Sequence, residues 1–313
     1  MGHVIRSLSI ADILKSEFEC HFIINDPPDF VKTQILAICD SLIELDSFSN
    51  LQEEARHISK NVLKADDIIV LDGYKFKTSY QKISKEAGVK LVCIDDIHSY
   101  QFVADAIINH AGGVSEYDYR AAPYTKFYLG LKYVMLRKEF SIKMNTVTLE
   151  ERSGDNTFIC LGGADPKNDT LNILKLCEEK CPDDNYWLVL GGAYKHKSSL
   201  NAYLDNSNLS IRVLENLEAT DMAKYMLKCK TAITSPSTIS YEYLSIGGTL
   251  YLHQTADNQN DIYKYFISEG LAFPSNSFSL LSKETKELAI KKQSDIFDGK
   301  ASQRILNIFK NLN

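Results

Sequence analysis

Short runs of apolar residues alternate with longer amphipathic stretches along the chain. A short apolar run bounded by turn-forming residues predicts a buried strand, and apolar positions three or four residues apart predict a helix. The runs predict strands at residues 22–24, 68–71, 90–94, 106–108, 157–161, 187–190, 210–213, 231–234 and 249–252. The amphipathic stretches predict helices at residues 4–14, 78–87, 168–177 and 221–228, and a final charged helical stretch at 282–313. Buried strands followed by helices of this length predict right-handed βαβ units and parallel sheets.

A tyrosine-rich region with weak periodicity, residues 112–148, interrupts this alternation. We therefore predict an α/β protein of two Rossmann-like domains, residues 1–145 and 146–313, with the tyrosine-rich region as a connector that packs on the first domain. We expect the two parallel sheets to face each other across a cleft and the last helix to pack back on the N-terminal domain. In such sheets the ligand site lies at the carboxyl ends of the strands.

Composition and charge narrow the classes of partner. The chain has 313 residues, of which 44% are hydrophobic and 24% charged, which is typical of folded domains and excludes wholesale disorder. The net charge of −6 argues against nucleic acid or an anionic membrane as a partner. A phosphate-bearing ligand would therefore bind backbone amides at a local site. The residues show no signal peptide and no apolar stretch long enough to cross a bilayer, so we predict a cytoplasmic protein without membrane insertion, by default a monomer.

The seven cysteines are odd in number and scattered, and several lie in apolar runs. This pattern is typical of small buried hydrophobic residues in a reducing compartment. Cys177 and Cys181 lie four residues apart on a predicted helix with no second pair nearby, and the histidines lack ligand spacing. The sequence therefore predicts no metal site and no cofactor.

Two strand-to-helix turns in the second half are candidate anion sites. The first, residues 161–168, runs from a buried strand through Gly162 and Gly163 to Asp165 and a helix. Glycines let the backbone approach an anion closely, and the helix start offers amides and a partial positive charge. The segment matches neither a Walker loop nor the dinucleotide fingerprint. A plain tight turn explains it equally well on its own.

The second turn, residues 234–242, carries hydroxyl groups at the start of a predicted helix. The hydroxyls and amides of Ser235, Ser237 and Thr238 form a second possible anion cradle. Glu242 lies one turn further along, where its carboxylate could accept two hydrogen bonds from a ribose diol. The alternative is an N-capping segment with Glu242 at a favourable position in the helix dipole. Two such turns in one predicted domain favour a nucleotide diphosphate.

The first half offers candidate catalytic groups. His3 precedes the predicted helix 4–14, and a helix N-terminus disfavours a cationic imidazole, so His3 is expected to be neutral and available as a base. Tyr74, with Asp72, and the pair Asp95 and Asp96 each follow a predicted strand, where acidic and phenolic groups suit the rim of a site. The alternatives are a disordered terminal residue for His3 and a capped turn for the two aspartates.

Several motifs together resemble one family. Residues 2–8 resemble a Gly-x-Gly-His loop followed by arginine, and residues 72–74 match an Asp-x-Tyr segment. The remaining matches follow in the same order at residues 95–96, 107–109, 130–140, 162–165, 235–242, 257–259 and 298–301. The chain thereby resembles, over nearly its whole length, the UDP-2,4-diacetamido-2,4,6-trideoxy-β-L-altropyranose hydrolases of pseudaminic acid biosynthesis, which are relatives of the GT-B glycosyltransferases and MurG.

The resemblance implies a GT-B fold and metal-independent hydrolysis of a UDP-sugar, in which water attacks the anomeric carbon, the C–O bond breaks and UDP leaves. It implies that His3 is the base for water and that Tyr74 positions the sugar or the water. Gly163 and Ser237 would lie near the diphosphate, Glu242 would hold the ribose, and Asn258 would approach the sugar or phosphate. The residues implied to bind the UDP-sugar are Gly2, Arg6, Gly162, Gly163, Asp165, Ser235, Ser237, Thr238, Glu242, Asn258 and Gln259.

One departure and two alternatives accompany this resemblance. Members of the family carry a strand before the Gly-x-Gly-His loop, whereas this sequence begins at Met1 inside the loop, so a gap is expected in the N-terminal sheet. A GT-B glycosyltransferase would look the same in its nucleotide-binding half. A nucleotide-sugar-binding protein without turnover is the third possibility, and it predicts UDP binding without sugar release.

Overall fold

A computed structural model describes residues 2–141 and 156–312 of the chain. The chain divides into two compact units: unit 1 contains Met1–Lys138 and Lys300–Asn313, and unit 2 contains Glu139–Gly299. The predicted boundary between residues 145 and 146 lies outside the described residues.

Helices and strands alternate through both units. The helices are α1 (Gly2–Leu14), α2 (Asp29–Leu36), α3 (Leu51–Asn61), α4 (Thr78–Lys85), α5 (Lys138–Ser141), α6 (Asp169–Lys180), α7 (Lys197–Leu204), α8 (Ala219–Leu227), α9 (Thr238–Ile246), α10 (Asn260–Ser268), α11 (Lys283–Ile296) and α12 (Ala301–Lys310). The strands are β1 (His21–Asn25), β2 (Ser41–Leu45), β3 (Ile68–Asp72), β4 (Lys90–Ile94), β5 (Gln101–Phe102), β6 (Ala106–Asn109), β7 (Arg120–Ala121), β8 (Lys126–Leu129), β9 (Asn156–Cys160), β10 (Asn185–Leu190), β11 (Ser210–Glu215), β12 (Thr231–Thr234), β13 (Thr249–Leu252) and β14 (Phe273–Pro274). Within the described residues, no helix is long and apolar enough to cross a membrane.

Unit 1 carries its main strands in two separate parallel sheets. Strands β1 and β2 pair with each other, and four strands follow in the order β3-β4-β6-β8. In the part of the chain that the structure describes, β1 and β3 each have a strand partner on one side only. The gap predicted in the N-terminal sheet is therefore the break between β1 and β3. Strand β8 lies in the region that was predicted to be only a connector.

Helix α1 covers the two main sheets of unit 1, and β5 and β7 form a separate short parallel pair. Leu8 packs with Val31 and Ile35 of α2 and with apolar side chains of β1 and β2. Ile10 and Leu14 pack with apolar side chains of β4 and β6. Helix α1 therefore contacts strands on both sides of the break.

Helix α12 returns the end of the chain to unit 1. Ile305, Ile308 and Phe309 are buried in the same apolar cluster as Ile10 and Leu14 of α1. The last helix therefore packs directly on the helix that begins the chain.

Unit 2 contains a six-stranded parallel sheet in the order β11-β10-β9-β12-β13-β14. The connections run outward from β9 in one direction and from β12 in the other, so the strand order reverses between these two central strands. A crevice forms at the carboxyl ends of the strands where the order reverses. The loops that leave β9 and β12 at this point are the two turns that the sequence singles out.

Candidate active site

The first polar cluster lies in unit 1, at the carboxyl ends of β3 and β4. Asp72 is the last residue of β3, and Asp96 follows β4 by two positions. Parallel strands end at the same edge of a sheet, so these carboxylates are brought to one side. Helix α1 begins beside them, and His3 and Arg6 lie three residues apart on the same face of this helix.

Asp72 is the centre of this cluster. Its side chain is 3% exposed, and its Oδ1 lies 2.8 Å from Nδ1 of His3. Its Oδ2 accepts hydrogen bonds from Nε of Arg6 at 2.9 Å and from Oγ of Ser7 at 3.2 Å. Burial alone would raise the pKa of Asp72, but the hydrogen bonds from Arg6 and His3 outweigh it and lower the pKa. Asp72 is therefore a buried carboxylate that stays ionised at neutral pH.

The geometry selects one tautomer of His3. Nδ1 lies 2.8 Å from Oδ1 of Asp72 and 3.1 Å from Nη2 of Arg6, so it could in principle donate to the first or accept from the second. A lone pair on Nδ1 would face an anionic oxygen at the shorter distance. Nδ1 therefore carries the proton and donates it to Asp72, and Nη2 of Arg6 donates to the same oxygen. The basic nitrogen of His3 is then Nε2, on a side chain that is 38% exposed.

Arg6 is engaged inside the cluster. It donates to both oxygens of Asp72 and, through Nη1, to Oδ2 of Asp96 at 3.0 Å. Its side chain is only 12% exposed. Burial opposes the charge, but the hydrogen bonds and attraction from Asp72 and Asp96 outweigh it and raise the pKa of Arg6. The predicted contact of Arg6 with the UDP-sugar is not supported by this arrangement, because its donors are directed at two carboxylates.

Tyr74 is the exposed member of the cluster. Its ring packs edge-on against the imidazole of His3, with 4.8 Å between the ring centroids. Its hydroxyl lies 3.5 Å from Oδ2 of Asp96, at the outer limit for a hydrogen bond. Burial and the nearby Asp96 raise the pKa of Tyr74. The phenol is therefore protonated at neutral pH and can donate a hydrogen bond beside His3.

Asp95 and Asp96, which the sequence places together at the rim, have different surroundings. Oδ2 of Asp95 accepts from the amides of Ile97 and His98 and from the hydroxyl of Tyr119. Burial raises the pKa of Asp95 against the effect of these hydrogen bonds. Asp95 thus stabilises a capped turn, whereas Asp96 is the one that joins the His3 cluster.

The second polar cluster lies in unit 2, where β9 and β12 end. A Cβ atom added to Gly162 would lie 3.5 Å from Oγ of Ser235, so the two loops are close together. Gly191, which follows β10, packs on the same loop, and a Cβ there would lie only 2.5 Å from the carbonyl oxygen of Gly163. Gly163 itself is exposed, with nothing within 4 Å of an added Cβ. The backbone at Gly163 is therefore held from one side and open on the other.

The start of α6 differs from the predicted anion cradle. Asp165 is buried, and its two carboxylate oxygens accept hydrogen bonds from the amides of Asp169 and Thr170, each at 2.8 Å. The amide of Leu171 donates to the carbonyl of Asn168. The first amides of α6 therefore already have a negatively charged partner. Asp165 caps this helix, and the predicted contact of Asp165 with the substrate is not supported by its geometry.

The start of α9 retains the features of an anion site. Ser237 is the N-cap residue and makes no side-chain capping bond, and its Oγ lies 3.0 Å from Oγ of Ser235. The amides of Thr238 and Ile239 belong to the first turn, which has no intrahelical acceptor. These two amides and the two serine hydroxyls are donors of the kind that bind a diphosphate at a helix N-terminus.

The other predicted binding residues of unit 2 have contrasting environments. Glu242 is 1% exposed, in a run of buried residues on α9. Oε1 of Gln259 accepts hydrogen bonds from Thr255 and from the amide of Ala256, so this side chain stabilises the turn after β13. Asn258, one position earlier, is exposed and available to a ligand. The structure thus assigns Gln259 to the loop and leaves Asn258 open to the solvent.

The sequence indicates Asp72 and Asp96 as rim residues but does not show their link to His3, and it does not single out Gly191. The signal for the aspartates was their position directly after buried strands. The signal for Gly191 was a second Gly-Gly pair that follows a strand, at Gly191 and Gly192. Among the described residues, the structure contains no group of three His, Cys, Asp or Glu side chains that could hold a metal ion.

No protein-family model matches the chain. A curated relative, an uncharacterized protein of Methanocaldococcus jannaschii, is 28% identical over 280 residues. The match covers 86% of this chain and 56% of the relative, so the chain spans little more than half the length of the curated relative that it matches.

Solved structures resemble the whole chain. MurG of Acinetobacter baumannii is 15% identical, with a TM-score of 0.64 over 99% of this chain and 96% of that one. The calicheamicin glycosyltransferase CalG4 is 10% identical, with a TM-score of 0.66 over 99% and 95%. MnaA of S. aureus, in a complex with UDP, is 11% identical, with a TM-score of 0.60 over 100% and 95%. The chain has the GT-B-like fold of two Rossmann-like domains with parallel sheets.

Proposed function

We propose that the chain is a hydrolase that removes UDP from a UDP-linked 2,4-diacetamido-2,4,6-trideoxy sugar, in pseudaminic-acid-type nonulosonate biosynthesis. The observation that supports it most is the imidazole of His3, which Asp72 orients with Nε2 as the basic nitrogen, in a chain with the GT-B fold. MnaA, one of the similar structures, was solved with UDP, which supports a UDP-linked ligand. The sequence motifs support the particular sugar and the use of water as the nucleophile.

In this proposal unit 1 activates the water. Nε2 of His3 takes a proton from water as the oxygen attacks the anomeric carbon. Asp72 accepts a hydrogen bond from Nδ1–H and, as a carboxylate, stabilises the imidazolium that forms. General base catalysis of this kind contributes a factor of roughly 10²–10⁴ to the rate. Tyr74, whose own proton is directed at Asp96, positions the sugar or the water by accepting a hydrogen bond, and Gly2, at the open start of α1, contacts the sugar.

Unit 2 binds UDP and stabilises the leaving group. Gly162 and Gly163 allow close approach of the diphosphate, and Ser235, Ser237 and Thr238 donate to its oxygens. Donors fixed by the fold before the reaction stabilise developing charge without reorganisation. Glu242 binds the ribose, and Asn258 contacts the sugar or phosphate. Asp165 and Gln259 hold the loops that carry these groups.

A GT-B glycosyltransferase is the second candidate. The glycosyltransferase CalG4 shares the fold, and the His3–Asp72 pair could deprotonate an acceptor alcohol in place of water. The two candidates differ only in the nucleophile, so the product distinguishes them.

The experiment measures UDP release from the bis-acetamido UDP-sugar by NMR, without added metal, for the wild type, His3→Ala and His57→Ala. His57 is an exposed histidine of α3 and serves as the matched control. We expect free sugar and UDP from the wild type and His57→Ala, and a loss of about 10² or more in His3→Ala with UDP binding retained. UDP binding without free sugar from the wild type would reject the hydrolase. Turnover that starts only when an acceptor alcohol is added would establish the transferase, and UDP binding without turnover under either condition would indicate a binding protein.

A further inference from the structure

Arg6 connects the two carboxylates of the unit 1 cluster. Its Nε and Nη2 donate to Asp72, and its Nη1 donates to Asp96. The planar guanidinium has a fixed fork of donors, so one side chain can hold two carboxylates at a set separation. Asp72 in turn accepts from His3, and Asp96 lies beside the hydroxyl of Tyr74. Each proposed catalytic side chain thus depends on a carboxylate that Arg6 holds.

The burial of Asp72 makes this dependence strong. The carboxylate is 3% exposed, so water cannot replace the two hydrogen bonds that Arg6 supplies. Without Arg6, the remaining side-chain donors to Asp72 in the described residues would be His3 and Ser7. A buried charge that loses its partner tends to become neutral or to move. Either change would release the Nδ1 proton of His3 from its fixed acceptor.

The geometry points to Arg6 as a positioning residue that fixes the tautomer of His3 through Asp72 and places the hydroxyl of Tyr74 through Asp96. This inference rests on the proposed function for its effect on turnover, and it goes beyond the expected role of Arg6 as a contact of the UDP-sugar. Arg6 acts through the two carboxylates and touches neither the water nor the sugar. We therefore expect its loss to affect kcat far more than KM.

The charged and titratable groups around His3 come from several elements. They are Asp72 of β3, Asp96 after β4, Tyr74, Arg6 of α1 and His110 after β6. Burial and the charge of Arg6 lower the pKa of His110 to about 3, so this imidazole is neutral. Arg6 is therefore the fixed cation of the cluster, and its loss would leave two carboxylates beside His3 without it.

The test compares Arg6→Gln, Arg6→Lys and Arg56→Gln with the wild type. Arg56 is an exposed arginine of α3, so Arg56→Gln controls for the loss of one positive charge. We expect Arg6→Gln to lower kcat by roughly 10²-fold with KM within about twofold. Arg6→Lys should recover only part of the loss, because a single ammonium cannot form the fork.

A second readout does not depend on turnover. Long-range ¹H–¹⁵N NMR of the wild type should show the Nδ1–H tautomer of His3, and Arg6→Gln should show a mixture of tautomers. An unchanged tautomer in Arg6→Gln would overturn the inference, and so would a rise in KM at constant kcat, which would make Arg6 a substrate contact. Equal loss of kcat in Arg6→Gln and Arg6→Lys, together with a lowered melting temperature, would also overturn it, because Arg6 would then serve stability alone. If the wild type has no hydrolase activity, the proposed function fails and the NMR result still decides the role of Arg6.

Discussion

The side chain of Asp72 has to hold a negative charge in a buried place and keep His3 in one tautomer. Replacement by asparagine keeps the shape but allows an amide N–H to face Nδ1 of His3, so the proton moves to Nε2 and the base is lost. We expect Asp72→Asn to lower kcat for UDP release by about 10²-fold or more. Asp46→Asn, an exposed aspartate in the same unit, is the control and should leave kcat unchanged. Full activity in Asp72→Asn would show that His3 does not need this carboxylate.

Asp72 also makes the free energy of unfolding of unit 1 depend on pH. The pKa of Asp72 is lower in the folded chain than the ordinary value of about 3.9. A lowered pKa contributes stability that is present above pH 3.9 or so and is lost as the pH falls through the folded value. The pKa of Asp95 is raised, so its contribution has the opposite sign: it is present below the ordinary value and is lost as the pH rises. The free energy of unfolding of unit 1, measured with urea between about pH 3 and 6, should fall less with decreasing pH in Asp72→Asn than in the wild type. It should fall more in Asp95→Asn than in the wild type.

Residue types could be predicted at the site, but their partners could not. His3, Tyr74 and the aspartates after β3 and β4 were all identified from their positions in the sequence. Arg6 was expected to contact the UDP-sugar, yet its partners Asp72 and Asp96 lie 66 and 90 residues away in the chain. A sequence shows that a cation is present without showing which carboxylates the fold brings to it. The same limit applies to Asp165 and Gln259: the sequence shows polar side chains, but not that both accept hydrogen bonds from backbone amides of their own loops.

At the level of elements, the loop after β9 depends on two glycines for different reasons. A Cβ on Gly191 would meet the carbonyl oxygens of Gly163 and Gly162 at 2.5 and 2.7 Å, so the backbone would have to shift. We expect Gly191→Ala to destabilise unit 2 by about 1–3 kcal/mol, the usual cost of overpacking. Gly163→Ala is the matched variant, because nothing lies within 4 Å of its added Cβ. It should leave stability unchanged but weaken UDP binding by roughly tenfold, since the methyl group would stand where the diphosphate approaches.

The single tryptophan of the chain makes this measurement direct. Trp187 lies in β10 of unit 2, so its fluorescence during urea unfolding reports on that unit. Calorimetry of UDP binding gives the second quantity. Wild-type stability in Gly191→Ala would contradict the packing argument. Unchanged affinity in Gly163→Ala would move the diphosphate away from this loop, towards the start of α9.

Every strand predicted from the sequence occurs in the structure, as β1, β3, β4, β6 and β9 to β13. The sequence does not predict β2, β5, β7, β8 and β14, and three of these, β5, β7 and β14, are only two residues long. Strand β8 has an apolar run, but it lies in the tyrosine-rich region of weak periodicity, which was predicted to be a connector. The split of the unit 1 sheet was expected from the family resemblance alone. Periodicity describes each segment separately and does not show which strands pair.

At the scale of the whole molecule, the last helix supports the first. Phe309 of α12 is 1% exposed and shares an apolar cluster with Ile10 and Leu14 of α1, the helix that carries His3 and Arg6. Removing a buried phenylalanine side chain costs about 3–5 kcal/mol. We therefore expect Phe309→Ala to loosen α1 and to lower kcat, although Phe309 lies 306 residues after His3 in the chain (309 − 3).

Hydrogen exchange read by mass spectrometry, together with Trp187 fluorescence, tests this expectation. In Phe309→Ala the amides of α1 and α12 should lose protection, because both helices belong to unit 1 and pack on each other. The Trp187 transition and UDP affinity should stay at wild-type values, because α6 to α9 and their strands form unit 2. Gln303→Ala, at an exposed position of α12, is the control and should change none of these quantities. Protection of α1 that survives in Phe309→Ala would mean that the sheets of unit 1 hold this helix without α12, and that the activity does not depend on the packing of Phe309 against α1.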